Sequence, residues 1–259
     1  MSRESALAVL RRDPRSTCVV SDFDGTLAAI VDDPATAHPL PGAVEVLRAL
    51  VRKMGRVAVV SGRPAGFLAE HLLRRAADAG GLRLVGLYGL ETVDEHGRVS
   101  VAPEAEQWRD VVASAAARAE RDAPPGGRVE PKGLSVTLHW REHPELEGWA
   151  MSAAGRLAGE SGLVLHPARR SVELRPPLDI DKGTAVGELV SGFSAACFLG
   201  DDLGDLPAFA ALDRLASDGT RTVKVAAAGA DVPVDVVMAA DLVVEGPVGA
   251  LEFLRALAG

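Results

Sequence analysis

The sequence is poor in aromatic residues and in sulfur: its 259 residues include one tyrosine, three tryptophans, six phenylalanines and two cysteines. Cys18 and Cys197 both lie in apolar runs. They leave no spaced pair for zinc and point to a reducing compartment. Basic residues are outnumbered, 28 Lys and Arg against 36 Asp and Glu, for a net charge of −8. A general nucleic-acid binder, whose affinity rests on a basic surface, is therefore not expected. An anionic small substrate remains open, because a local site can oppose the global charge. No apolar stretch reaches the length of a membrane span, and the N-terminus, with Arg3, Arg11 and Arg12, lacks the continuous apolar segment of a secretory signal. These absences describe a cytoplasmic protein with no membrane partner; oligomeric state is not legible. Core is not lacking, since the length allows one large domain or two modest ones and 47% of residues are hydrophobic.

The chain is organised around Cys18 to Leu27. An apolar run ends in Asp22, with Asp24 two residues on and Gly25-Thr26 behind it. This reads as a buried strand delivering carboxylates to its C-terminal rim, where open α/β sheets keep their chemistry. A plain Asp-Gly turn would account for Asp24 and Gly25 but not for Asp22 and Thr26. A short helix over Ser5 to Leu10 precedes the strand, and a proline-rich loop from Asp32 to Pro41 follows it, with His38 read as a loop residue. A helix from Gly42 to about Lys53 and a strand from Arg56 to Val60 come next, which makes a parallel pair. That second strand ends in Ser61-Gly62-Arg63-Pro64, a hydroxyl and free N–H groups at a helix start, able to hold an anion or simply to cap. The helix is expected to run to about Ala79 and a third strand from Leu82 to Leu87.

From Leu90 the pattern changes. A hairpin turn at Asp94-Glu95-His96-Gly97 is followed by helix and strands, then helix and strands again, which reads as an α+β module of 90–172 inserted into a core of 1–89 and 173–259. Trp108, Trp140 and Trp149 read as core anchors of that module. Alternation of helix and strand resumes at Lys182, and the strand Ala195 to Leu199 ends in Gly200-Asp201-Asp202-Leu203-Gly204-Asp205. The fold class is thus α/β, a doubly wound, mainly parallel sheet with an inserted α+β domain.

Two acidic clusters on separate strand tips suit a hard divalent cation, with Asp22, Asp24 through its carbonyl, Asp201 and Asp205 as candidate ligands and Mg²⁺ as the expected ion. One or more of Asp201, Asp202 and Asp205 can instead cap the next helix. A carboxylate can attack phosphorus, which gives Asp22 as nucleophile and Asp24 as the proton donor and acceptor. An anionic nucleophile approaching an anionic phosphate needs cationic help. Lys182, disfavoured by the dipole at its helix start, is the candidate for that help.

In order, DFDGTL, SGRP, DKG and GDDLGD resemble the four motifs of the haloacid dehalogenase superfamily of aspartate-dependent phosphatases. GLYGLE, VEPKGLSVTLHWR, VELRPPLDIDKG and GDDLGDLPAF are similar to the trehalose-6-phosphate phosphatase branch. The resemblance implies a Rossmann-like core with a cap that closes over the sugar, and phosphate binding by Ser61, Gly62, Arg63 and Lys182. It also implies that Glu130, Lys132 and Glu173 grip the distal glucose of a phosphorylated disaccharide. His139 and Arg141 recur in the pattern without an assigned contact. Tyr88 stands where many relatives carry His, and Leu206-Pro207 replaces an acidic residue. Rival expectations are a phosphatase for sucrose 6-phosphate or a glycerate-linked sugar phosphate, a phosphotransferase or mutase, and a catalytically silent regulatory module.

Overall fold

The computed structural model describes the chain except residues 32, 74–80, 95, 169 and 230–231. The expected first residue of the proline-rich loop, the expected helix end near Ala79 and the middle of the hairpin turn at Glu95 fall outside the described residues. The chain forms two compact units, 1–100 with 180–259, and 101–179.

The larger unit is built on an eight-stranded sheet. Its strand order is Leu242–Glu245, Arg221–Ala228, Ala195–Gly200, Thr17–Ser21, Arg56–Val60, Leu82–Gly86, Glu91–Val93 and Val99–Val101. The first six are parallel, and Glu91–Val93 joins antiparallel to Leu82–Gly86. Thr17–Ser21 is buried at every residue, as a central strand covered on both faces must be. Its side chains alternate between two cores. Val19 joins Leu47, Leu50, Phe253 and Leu254 on one face, while Cys18 and Val20 join Val186, Phe198, Phe209 and Leu212 on the other. Helices on both faces make the sheet doubly wound, as the alternating pattern requires.

Local chemistry sets the helix ends. Ser2 caps Arg3–Arg11 by accepting from the Ser5 N–H at 3.2 Å. In Ala43–Lys53, Gly42 turns the chain in at φ 87°, Glu45 lies in the first turn, and Arg52 and Lys53 lie in the last, all matched to the dipole.

The smaller unit has a four-stranded antiparallel sheet in the order Arg128–Pro131, Val136–His139, Ser171–Arg175, Val164–Ala168. One face carries Val136, Leu138, Val172 and Leu174 against the alanine-rich sides of helices Arg109–Arg121 and Glu147–Ser161. Trp140 is buried in this core, and Trp108 and Trp149 pack against it. The strand Glu91–Val93, read from the sequence as part of the inserted module, pairs instead with the larger sheet. Glu173 pairs with Thr137 inside the smaller unit, although the sequence assigned it to the returning core. Both differences arise because strand type is written in local pattern, whereas the sheet a strand joins depends on distant partners.

Candidate active site

Three adjacent parallel strands end together and bring the motifs side by side. Thr17–Ser21 delivers Asp22, whose N–H donates to the Leu199 carbonyl at 2.8 Å, extending the ladder to the nucleophile candidate itself. Arg56–Val60 delivers Ser61, and Ala195–Gly200 delivers Asp201. The chain reverses order here, with Ala195–Gly200 on one side of Thr17–Ser21 and Arg56–Val60 on the other, which is where doubly wound sheets bind ligands.

Asp22, Asp201 and Asp205 are all buried, and each places a carboxylate oxygen within 4.8 Å of the others. Glycines make room for them. A β-carbon on Gly25 would lie 2.0 Å from the Asp201 carboxylate, and one on Gly200 would lie 2.4 Å from that of Asp205. The Gly of Asp-x-Asp-Gly-Thr therefore serves the distant acidic cluster as well as its own turn.

Lys182 is only 3% exposed and places Nζ 2.6 Å from Asp205 Oδ1 and 2.9 Å from Asp22 Oδ1. The contact to Asp22 is an ion pair at 2.9 Å, and by hydrogen-bond geometry Asp22 Oδ1 has no aligned donor among the described residues. Burial acts to lower the Lys182 pKa, but Asp205 and Asp22 outweigh it and hold the ammonium well above its ordinary value. Asp181 caps the helix ahead of it, accepting from the Thr184 N–H at 2.8 Å. Asp205 is anchored by three donors: Oδ2 accepts from the Asp201 and Asp202 N–H groups at 2.8 and 3.1 Å, and Oδ1 accepts from Lys182. Asp202 caps the following turn by accepting from the Gly204 N–H. Of the three acidic residues, then, one caps, one anchors, and Asp201 faces Asp22.

Ionised together, three buried carboxylates against one buried ammonium would leave two uncompensated negative charges. Burial above all, with the neighbouring carboxylates, pushes Asp22 well above the ordinary carboxylate range and Asp201 to about 10. An oxygen-seeking divalent cation fits this donor set in charge and in kind. Asp22, Asp201 and the Asp24 carbonyl could hold it, with Asp205 fixing the backbone around it.

The Asp24 side chain is engaged elsewhere. Arg63 donates to it twice, Nε to Oδ2 and Nη2 to Oδ1, both at 2.7 Å. Arg63 Nη1 donates to the Pro34 carbonyl at 2.7 Å, and the guanidinium lies 4.7 Å above the Phe67 ring. The side chain expected at the phosphate thus holds Asp24, the candidate proton shuttle, in place. No local sequence signal announces that bidentate contact across 39 residues. Ser61 Oγ accepts from the Arg63 N–H at 3.2 Å and is itself buried.

The smaller unit has a polar cluster of its own. Glu130, Thr137, Glu173 and His166 stand in one row across the sheet, on the face opposite its apolar core. Glu173 is 2% exposed; it accepts from Ser135 Oγ at 2.6 Å and from Arg175 at 2.6 and 2.9 Å, with Lys132 Nζ 3.5 Å away. Burial would raise its pKa, but Lys132, Arg175 and Ser135 outweigh it and hold the carboxyl at about 2. His139 Nε2 meets Glu130 Oε2 at 2.8 Å, which supplies the contact its sequence position left open. Ser135 and Arg175 were not singled out in the sequence, although period-two spacing from Thr137 and Glu173 places them on the same face.

A trehalose-phosphatase family model matches residues 20–238. The chain belongs to the trehalose-phosphatase family. It is 35% identical over 216 residues to a trehalose-phosphate phosphatase of Mycolicibacterium paratuberculosis, covering 76% of this chain and 52% of that protein. The chain spans about half the length of the curated relatives it matches. The fold is shared with the C-terminal domain of the Candida albicans trehalose-6-phosphate phosphatase, at a TM-score of 0.78 and 22% identity, covering 100% of this chain and 97% of that one. It is also shared with a haloacid dehalogenase-like hydrolase from Bacteroides thetaiotaomicron, at a TM-score of 0.61 and 17% identity over 93% and 99% of the two chains. Among the described residues no helix is long and apolar enough to cross a membrane.

Two measurements follow from the two clusters. Asp201→Asn removes one of the crowded carboxyl groups, so its melting temperature without divalent cation equals or exceeds wild type, and the rise that added cation gives wild type disappears. Glu173, with its folded pKa depressed to about 2 from 4.5, contributes stability that is complete above pH 4.5 and is lost as pH falls towards 2. Denaturant titrations should therefore show Glu173→Gln less stable by on the order of 3 kcal/mol at neutral pH, with the gap closing in that acidic window.

Proposed function

We propose that the protein is a Mg²⁺-dependent phosphatase that hydrolyses trehalose 6-phosphate to trehalose and inorganic phosphate. The observation that carries the reading is Asp22, a buried carboxylate at a strand tip with Lys182 at 2.9 Å and two further buried carboxylates beside it. Family membership supports the substrate.

In this reading an Asp22 carboxylate oxygen attacks phosphorus, forming the Asp22–phosphate bond as the bond to the sugar oxygen breaks. Asp24 gives its proton to that leaving oxygen, and trehalose departs. Asp24 then takes a proton from water, whose oxygen attacks phosphorus, and the acyl phosphate returns carboxylate and inorganic phosphate. Lys182, Ser61 Oγ and the Gly62 N–H meet the phosphoryl oxygens, and Arg63 fixes where Asp24 stands. The bound Mg²⁺ would supply charge neutralisation and Lewis acidity. Glu130, Lys132 and Glu173 are proposed to hold sugar hydroxyls, with His139, Ser135 and Arg175 keeping those carboxylates in place. A cytoplasmic location fits the substrate.

A panel of phosphosugars tests the reading: kcat/KM should be highest for trehalose 6-phosphate, above sucrose 6-phosphate and monosaccharide phosphates. Lys132→Ala should lower kcat/KM for the disaccharide by about tenfold, the worth of a charged hydrogen bond, and leave a small aryl phosphate unaffected. A higher kcat/KM for another phosphosugar would replace trehalose 6-phosphate as substrate, and no turnover of any would leave a silent binding module.

A further inference from the structure

The turn that follows Leu82–Gly86 holds the one tyrosine of the chain in a conformation that β-carbon-bearing residues avoid. Leu87 has φ 47°, and Tyr88 has φ 64° and ψ 7°, two left-handed residues in succession that are not glycine. The turn is stitched to the Ser61–Arg63 loop. Ser61 N–H donates to the Val85 carbonyl at 3.0 Å, Leu87 N–H to that of Arg63 at 2.9 Å, and Tyr88 N–H to that of Ser61 at 2.9 Å. Gly86 permits the approach, since a β-carbon there would lie 2.2 Å from the Ala65 nitrogen. Glu91 closes the arrangement by accepting from the Ala65 N–H at 2.8 Å.

This strain fixes where the phenol goes. A β-carbon on Gly62 would lie 2.4 Å from Tyr88 Oη and 2.6 Å from Cζ, so the ring and its hydroxyl lie across the backbone of the loop that offers Ser61 and Gly62. Among the described residues the ring belongs to none of the apolar cores; it is half-buried, with its polar end at the loop. Strained backbone persists where the aim of a side chain matters. We propose that Tyr88 contacts the substrate, its hydroxyl donating a hydrogen bond to the phosphoryl group at Ser61 and Gly62. No proton is transferred: the phenol stays neutral and adds its donor to the Ser61 hydroxyl, the Gly62 N–H and the Lys182 ammonium. The inference deepens the phosphatase reading and rests on it for the identity of the anion.

Inorganic phosphate, the proposed product, is the probe. Calorimetric titration of phosphate into the Mg²⁺-loaded protein, wild type and Tyr88→Phe, is paired with kcat/KM for trehalose 6-phosphate. Losing a hydrogen bond to a charged group should weaken phosphate binding about tenfold and lower kcat/KM comparably. Because the chain has one tyrosine, 3-fluorotyrosine incorporation gives a ¹⁹F resonance from residue 88 alone, and saturating phosphate should shift it in otherwise wild-type protein. Phosphate affinity within twofold of wild type in Tyr88→Phe, or an unmoved ¹⁹F resonance if that variant fails to fold, overturns the proposal. Absence of turnover in wild type would instead overturn the phosphatase reading, and the phosphate titrations would still decide Tyr88.

Discussion

Lys182 among Asp22, Asp201 and Asp205 is the constraint on which the larger unit depends. Burying four ionisable groups is costly unless they compensate one another, and one ammonium cannot compensate three carboxylates. The surrounding structure manages part of the imbalance. Asp205 is held by two backbone N–H groups and by Lys182, and glycines at 25 and 200 let the chain close over the acidic groups without collision. The imbalance that remains suits the site to a divalent cation and, in the proposed reaction, to an anion beside it. Removing Lys182 would leave the carboxylates without their counter-charge.

A second regularity joins the two units. In each, a carboxylate proposed for chemistry or recognition is held by a basic side chain: Asp24 by Arg63, Glu130 by His139, and Glu173 by Arg175. Such pairs fix a carboxylate's direction, which matters more to a proton transfer or a sugar contact than the strength of the pair itself.

The motif residues were legible because strand pattern and strand ends are local. The buried run before Asp22, the apolar strand before Asp201 and the Lys at a helix start all read correctly as positions. The parallel sheet and the inserted antiparallel sheet were legible for the same reason. Contacts that cross the fold were not. The partner of Arg63, the division of labour among Asp201, Asp202 and Asp205, and the sheet to which Glu91–Val93 belongs each depend on residues far away in sequence. Tyr88 stood out only as a departure from the family pattern, and its direction became readable from the Gly62 backbone beneath it. His139 required the register with Arg128–Pro131 before Glu130 could be seen as its partner.

Covalent capture by Asp22 is the claim on which the account turns. Rapid mixing of the Mg²⁺-loaded protein with trehalose 6-phosphate, acid quench and borohydride reduction would convert an aspartyl phosphate to homoserine, which peptide mass spectrometry locates. The account predicts homoserine at position 22, appearing within the first turnover and decaying as substrate is consumed. Steady turnover with Asp22 unmodified at every quench time would contradict it.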